Sequence, residues 1–256
     1  MLGQLLGLSV VAPLHGFLHY VLSPIEVFGA LDRRLTNLRY TRAVLPASIV
    51  AWIIPLYAAY LHPSLPARQI WLFVWQLYPV WFWLSSWAFS RLFADTVDHD
   101  AFTAPTRDLP YIRLTVGAPA VLAAGFWIGA VLLGPYGLRE IFVPTTLPRL
   151  TANLSDAALE FLRIDELVIF GSVFLWLAYL FADLKRAGML GTGWPALLVF
   201  ATVGVFAVGP GATAGLGWLW REEILATRKH KDARTEESLA RLGLTAATET
   251  KRNGRK

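Results

Sequence analysis

The chain has 256 residues, 55% of them hydrophobic and 16% charged, where a water-soluble domain carries about a quarter charged. Cysteine is absent, which excludes disulfides and thiolate metal sites, and the formal charge of +5 is uneven, ten of the 23 Lys and Arg falling in residues 221–256. This balance excludes a soluble two-domain enzyme and offers nothing specific to nucleic acid; a basic tail behind an apolar body is the pattern of a segment held near anionic lipid.

In chain order, hydropathy divides residues 1–220 into six spans of an all-α, polytopic transmembrane helix bundle, since ~20 apolar residues cross a bilayer core of about 30 Å. The first span, residues 1–24, carries His15 and His19. It has no charged n-region and no small-residue cleavage site, so it reads as a span and not as a signal peptide. The second covers residues 43–61. The third, residues 70–94, has no charged residue between Ile70 and Ser90, and with Trp71 it holds five of the eleven Trp. Residues 111–134, 166–182 and 192–220 supply the fourth, fifth and sixth. Pro46, Pro55, Pro79, Pro119 and Pro210 lie inside spans. Each removes a backbone donor and favours a kink that leaves a cavity, although proline is also commoner in membrane helices generally.

Between the spans, residues 156–165 set Ala158, Phe161, Leu162 and Ile164 near one face, the pattern of an amphipathic helix along the membrane surface, capped by Ser155 or Asp156. Gly209-Pro210-Gly211 breaks or thins the last helix. Residues 221–256 form a basic polar tail, partly disordered. Six crossings place Glu26, Asp32, Asp95, Asp98, His99, Asp100, Asp108 and Asp183 on one membrane side. They place the tail, with Glu222 and Glu223, on the other.

This arrangement predicts a pocket. His15, His19 and Glu26 share roughly one helical face, and Trp83 and Trp87 are one turn apart just above Asp95. A poorly solvated carboxylic acid can stay protonated near neutrality and act as a general acid. Aromatic faces stabilise the resulting carbocation by ~0.5–2 kcal/mol each without quenching it. Asp95 or Asp98, with Glu26 as the alternative, is the expected catalytic acid, positioned by His19 or His99; Trp83, Trp87, Trp75, Tyr78 and Gln76 are the expected substrate contacts. The bland readings stand beside these. Trp commonly forms the interfacial belt, a loop with three Asp is commonly solvated, and His15 and His19 commonly hydrogen-bond between helices.

The strings VVAPLHGFLHYVLSP, RYTRAVLPASIVAWIIPLYAAY, WQLYPVWFWL and GPGATAGLGWLWREEIL resemble stretches of fungal integral-membrane terpene cyclases of the ascofuranone and macrophorin type, across most of residues 8–228. The resemblance implies a metal-independent enzyme of the endoplasmic reticulum that protonates a terminal alkene or epoxide on a farnesyl-type chain of a meroterpenoid precursor. It also implies that longer relatives carry one or two further N-terminal spans. On this reading the partners are a lipophilic prenylated small molecule and the bilayer, and no cofactor or metal is required. A UbiA-like prenyltransferase would need a second Asp-rich cluster beside residues 95–100. A non-catalytic membrane subunit is the strongest rival.

Overall fold

A computed structural model describes residues 8–22, 37–93, 106–135, 137–143 and 153–228, and every regular element among them is helical. Glu26, Asp95, Asp98, His99 and the tail beyond residue 228 lie outside the described residues. Helix α1 is Leu8–Leu22. Helices α2 (Leu38–Ser48) and α3 (Ile54–Leu61) are joined by a π-helical turn, Ile49–Ile53, into one rod of 24 residues. Helices α4 (Leu65–Gln76) and α5 (Tyr78–Leu92) fold back along that rod. There follow α6 (Leu109–Leu133), the short α7 (Leu138–Phe142), α8 (Leu154–Arg186), α9 (Trp194–Val208) and α10 (Pro210–Thr227).

Three of these are long and apolar enough to cross a membrane: the rod Leu38–Leu61, α6, and residues Ala157–Arg186 of α8. That is fewer than the six expected, and the differences have local causes. The third apolar stretch is divided at Leu77, two residues before Pro79, because proline has no N–H to continue the ladder and its ring crowds the preceding turn. The last apolar stretch is not one span but two antiparallel helices. Its turn is Gly209, at φ +86, a backbone conformation open essentially to glycine.

The surface helix expected over residues 156–165 is instead the opening of α8, which runs unbroken for 33 residues. No Pro or Gly separates Arg163 from Glu166, so nothing stops the helix between the amphipathic turns and the apolar ones. Its polar residues turn inward. Glu160 is buried and accepts from Arg163 Nη1 at 2.7 Å, and Asp165 accepts from the backbone N–H of Ser9 at 3.0 Å, holding the start of α1.

Side-chain contacts fix the directions of the helices. Arg42 lies over the Tyr111 ring and Tyr57 packs tilted against Phe126, so the α2–α3 rod runs parallel to α6. Arg113 pairs with Glu223 at 2.8 Å while Trp127 meets Gly209, so α10 runs antiparallel to α6. Tyr20 bonds Asp183 and Gly217 meets Leu177, so α1, α8 and α10 run together. The ends of α1, α5, α8 and α10 and the starts of α2 and α6 therefore gather at one polar end of the bundle.

The close contacts use small residues, a pattern shared with helices that pack in lipid. Ala43, Ala47 and Ala51 are fully buried against α5, beside buried Ser86 and Ser90. Gly211 and Gly215 set α10 against Ala123, Val116 and Ala120 of α6.

Two predictions follow from the α9–α10 turn. A Cβ on Gly209 would stand 2.7 Å from Trp127 Cγ. Gly209→Ala is therefore expected to lower stability by ~1–3 kcal/mol from backbone strain alone, read as a lower Tm of the detergent-solubilised chain. Gly129→Ala, with nothing within 4 Å of the added atom, is expected to leave the Tm unchanged or raise it. The turn also sets topology. In this cysteine-free chain, Gly191→Cys and Thr227→Cys should react with a membrane-impermeant thiol reagent from the same side, and Ser64→Cys from the other. Opposite sides for positions 191 and 227 would restore a single spanning helix.

A polar cleft between three helices as candidate functional site

The hairpin brings Arg221 and Glu222 back beside Asp183, which a six-span topology puts across the membrane. Asp183, Arg221 and Glu222 are all buried. Arg221 Nη1 donates to Glu222 Oε1 at 2.7 Å, and its guanidinium also feels the Asp183 carboxylate. Asp183 Oδ1 accepts from the Tyr20 hydroxyl at 3.2 Å and from Arg186 Nη1 at 2.9 Å. His19 packs edge-on against Trp176, ring centres 5.2 Å apart, within electrostatic reach of Arg221 and Glu222. The cleft thus lies where α1, α8 and α10 meet, with Tyr179 against Tyr20 and His15 beside His19 on its outer rim.

Each side chain is placed by helical spacing. Trp176 and Asp183 are seven residues apart, two turns along one face of α8, and His19 and Tyr20 lie in the last turn of α1. Gly16 lets α1 lie directly on Trp176; a Cβ there would sit 3.4 Å from the Trp176 Cβ. On the opposite faces of α8 and α10, Phe181 and Trp220 line a separate apolar groove of about 740 Å³ between α8, α9 and α10, which also presents Trp194, Phe200 and Thr213. Residues two apart on a helix point nearly oppositely, so Phe181 faces the groove and Asp183 the cleft.

Of the side chains singled out in the sequence, His19 is in the cleft. Trp83 and Trp87 are 67% and 49% exposed on the outside of α5, and Trp87 carries the Arg91 guanidinium over its ring at 5.7 Å. Trp75 stacks on Tyr78 across the Leu77 break, and Gln76 is exposed. Among the described residues these five line neither the cleft nor the groove. Tyr20, Trp176 and Arg221 of the cleft were outside the expected set. The signal that could have found them is the Gly209 reversal, which sequence showed only as a break. Among the described residues no group of three or more His, Asp and Glu is arranged to hold a metal ion.

The chain belongs to the CtvD domain family, whose model matches residues 1–226. It is 46% identical over 238 residues to the FAD-dependent monooxygenase verC1 of Penicillium polonicum, covering 93% of this chain and 30% of that protein. It is 35% identical to the FAD-dependent monooxygenase anuJ of Penicillium roqueforti (strain FM164), over 89% of this chain and 28% of the relative. The FAD-dependent monooxygenase BOA8 of Botryotinia fuckeliana (strain B05.10) is 31% identical over 90% of this chain and 30% of its own length. None of these three is named a terpene cyclase. The chain spans about three tenths of the relatives it matches. No solved structure matches it significantly.

The names of the relatives imply a flavin, and the residues described here do not fit one. A dinucleotide cradle is a strand, a glycine-rich turn and a helix whose free N–H groups face the pyrophosphate. The described residues contain no strand. Gly209, Gly211 and Gly215 open a helix, but they follow another helix, the Trp127 indole covers Gly209, and the other two pack against α6.

The buried Arg221–Glu222 pair generates a stability prediction. Removing one partner of a buried pair typically costs ~3–5 kcal/mol, while replacing both by apolar groups is often nearly neutral. Glu222→Met is therefore expected to depress the Tm strongly, and Arg221→Met/Glu222→Met to recover most of the loss in the same thermal unfolding assay.

Proposed function

We propose that this chain is a membrane-bound cyclase of an unsaturated or epoxidised lipophilic chain, with the α1–α8–α10 cleft as its proton-transfer site. The observation that carries the reading is the cleft itself. Ionisable groups inside an apolar bundle are expensive to bury and are retained mainly where they do chemistry. Here His19, Tyr20, Asp183, Arg221 and Glu222 converge from three helices.

The reaction is an isomerisation. A carboxylic acid gives its proton to the alkene carbon or epoxide oxygen, and the C–C π bond or C–O bond breaks to leave a cation. A neighbouring alkene supplies the electron pair of the new C–C bond, and the last cation loses a proton back to the site. Trp176 and Tyr179 offer aromatic faces to the cation. Asp95, Asp98 and Glu26 are the proposed donors, with His19 or His99 positioning them. The segments that carry them leave and rejoin the described bundle at residues 22 and 37 and residues 93 and 106, all at the polar end. The farnesyl-type substrate comes from the sequence resemblance. The relatives' names suggest a source for the epoxide, since monooxygenation of a terminal alkene yields that group.

Charge supports a cytoplasmic polar end. Among the described residues Arg39, Arg42, Arg91, Arg107, Arg113, Lys185, Arg186, Arg221 and Arg228 lie there, against Arg68, Arg139 and Arg163 at the other end. Lys and Arg favour the cytoplasmic side, and the proposed setting is the endoplasmic reticulum membrane.

The partial coverage of named monooxygenases favours a second reading, a non-catalytic membrane module that serves an oxygenase. One experiment separates the two: membranes expressing the chain are fed prenylated phenols with and without terminal epoxides. The cyclase reading expects a product of unchanged mass, insensitive to EDTA, and a ~10²–10⁴-fold loss on removing the acid in Asp95→Asn, Asp98→Asn or Glu26→Gln. If all three retain near wild-type rates, the proposed donors are wrong, and Glu222, Glu223 and Asp183 are the next acids to test. Unchanged substrate with every variant, alongside intact membrane expression, would leave the module reading.

A further inference from the structure

Three buried nitrogens in the cleft have no hydrogen-bond partner among the described residues: His19 Nδ1, Trp176 Nε1 and Arg221 Nε. They belong to three different helices. His19 touches Trp176, and Arg221 is near enough to both His19 and Asp183 for their charges to interact. A buried donor left unmet costs ~1–3 kcal/mol, and native interiors hold few of them. Arg221 is 6% exposed, so bulk water does not reach it freely. Five other buried polar atoms without a hydrogen-bond partner among the described residues are spread over α2, α4, α5 and the start of α8, and it is the gathering of three nitrogens from three helices around one cleft that marks a place for a hydrogen-bonding group.

Charge narrows what that group is. The carboxylates of Asp183 and Glu222 already face the guanidinium groups of Arg186 and Arg221 at 2.9 and 2.7 Å. The ion pairs are balanced, and a further anion would be buried without a counter-charge, at a cost of several kcal/mol. A neutral hydroxyl has two lone pairs for the Trp176 and Arg221 N–H groups and one O–H for His19 Nδ1, and it brings no charge. Trp176, Tyr20 and Tyr179 surround the position with aromatic surface. The remainder of the ligand is therefore lipophilic.

We propose that the cleft binds the neutral, hydroxyl-bearing end of a lipophilic molecule, whose oxygen accepts from Trp176 Nε1–H and Arg221 Nε–H while its O–H donates to His19 Nδ1. This deepens the cyclase reading, because it fixes which end of the substrate enters first, and it rests on that reading only for what happens after binding. Trp176 and Arg221 are binding residues here, not proton donors.

The test is direct binding to the full chain in lipid nanodiscs, with farnesol, farnesene and farnesoic acid as neutral, oxygen-free and anionic probes on one carbon skeleton. Indole N–H signals of ¹⁵N-Trp protein report the contact, and Trp176→Phe identifies the Trp176 signal. Farnesol is expected to move that signal and to bind about tenfold or more tightly than farnesene, one good hydrogen bond being worth roughly that factor. Trp176→Phe should abolish the preference. Arg221→Lys, which keeps the charge facing Glu222 but lacks the Nε–H, should reduce it. Equal affinity for farnesol and farnesene, tighter binding of farnesoic acid, or a preference that survives Trp176→Phe would each overturn the proposal. An unmoved Trp176 signal would overturn it too, by showing that water or the chain itself supplies the acceptor. Binding as described without turnover would keep this site and remove the cyclase reading.

Discussion

The reversal at Gly209 is the constraint on which the rest of the arrangement depends. A chain that turns inside an apolar bundle must leave a helix end with open carbonyls, and in hydrocarbon there is no water to meet them. Trp127 answers both needs at once. Its ring covers Gly209 so closely that no side chain fits there, and its Nε1–H donates to the Phe206 carbonyl at 3.1 Å. The α10 side repeats the device, with the Thr213 hydroxyl donating to the Gly209 carbonyl at 2.7 Å. Without this turn α10 would continue away from the polar end, and Arg221 and Glu222 would never meet Asp183.

Much of the fold was legible in residue chemistry. The apolar runs locate the helices, the absence of strand patterning gives the class, and Pro79 and Gly209-Pro210-Gly211 mark real interruptions. What hydropathy cannot distinguish is a break that bends a helix from a break that reverses it. The two have the same composition, and the difference lies in whether a neighbour such as Trp127, some eighty residues away, is placed to close the turn. The surface-helix expectation failed for a related reason. Its amphipathic pattern is genuine, but Glu160 is buried and pairs with Arg163 instead of facing outward. A polar stripe records that partners exist without saying whether they are lipid, water or protein.

The site was legible in kind but not in membership. His19 was found because it shares a helical face with His15 and the expected acid Glu26, whereas Trp83 and Trp87 were chosen for proximity to Asp95 in sequence and stand on the outside of α5. The cleft's own tryptophan, Trp176, sits alone in the aliphatic run of α8. Nothing in its local sequence distinguishes it from a packing residue. Its distinction is purely spatial: a glycine on α1 makes room for it, and its indole N–H is left over once the helices are packed.

The π-helical turn at Ile49–Ile53 has a consequence for the helix it interrupts. Ala43, Ala47, Ala51, Pro55 and Ala59 recur at every fourth residue and are all buried. Four residues overshoot a 3.6-residue turn by about 40°, so along a regular helix such a series would wind off its face by roughly 160° from first to last. The wide turn closes through Ile54 N–H to the Ile49 carbonyl and absorbs about one residue of that rotation. The small side chains thereby form a straighter keel over the whole rod, and the four-residue spacing and the widened turn are two views of the same accommodation. Deleting one residue from 49–53 would therefore leave a regular helix whose two halves keep nearly the same faces toward α5, whereas straightening the turn at full length would swing them about 100° apart.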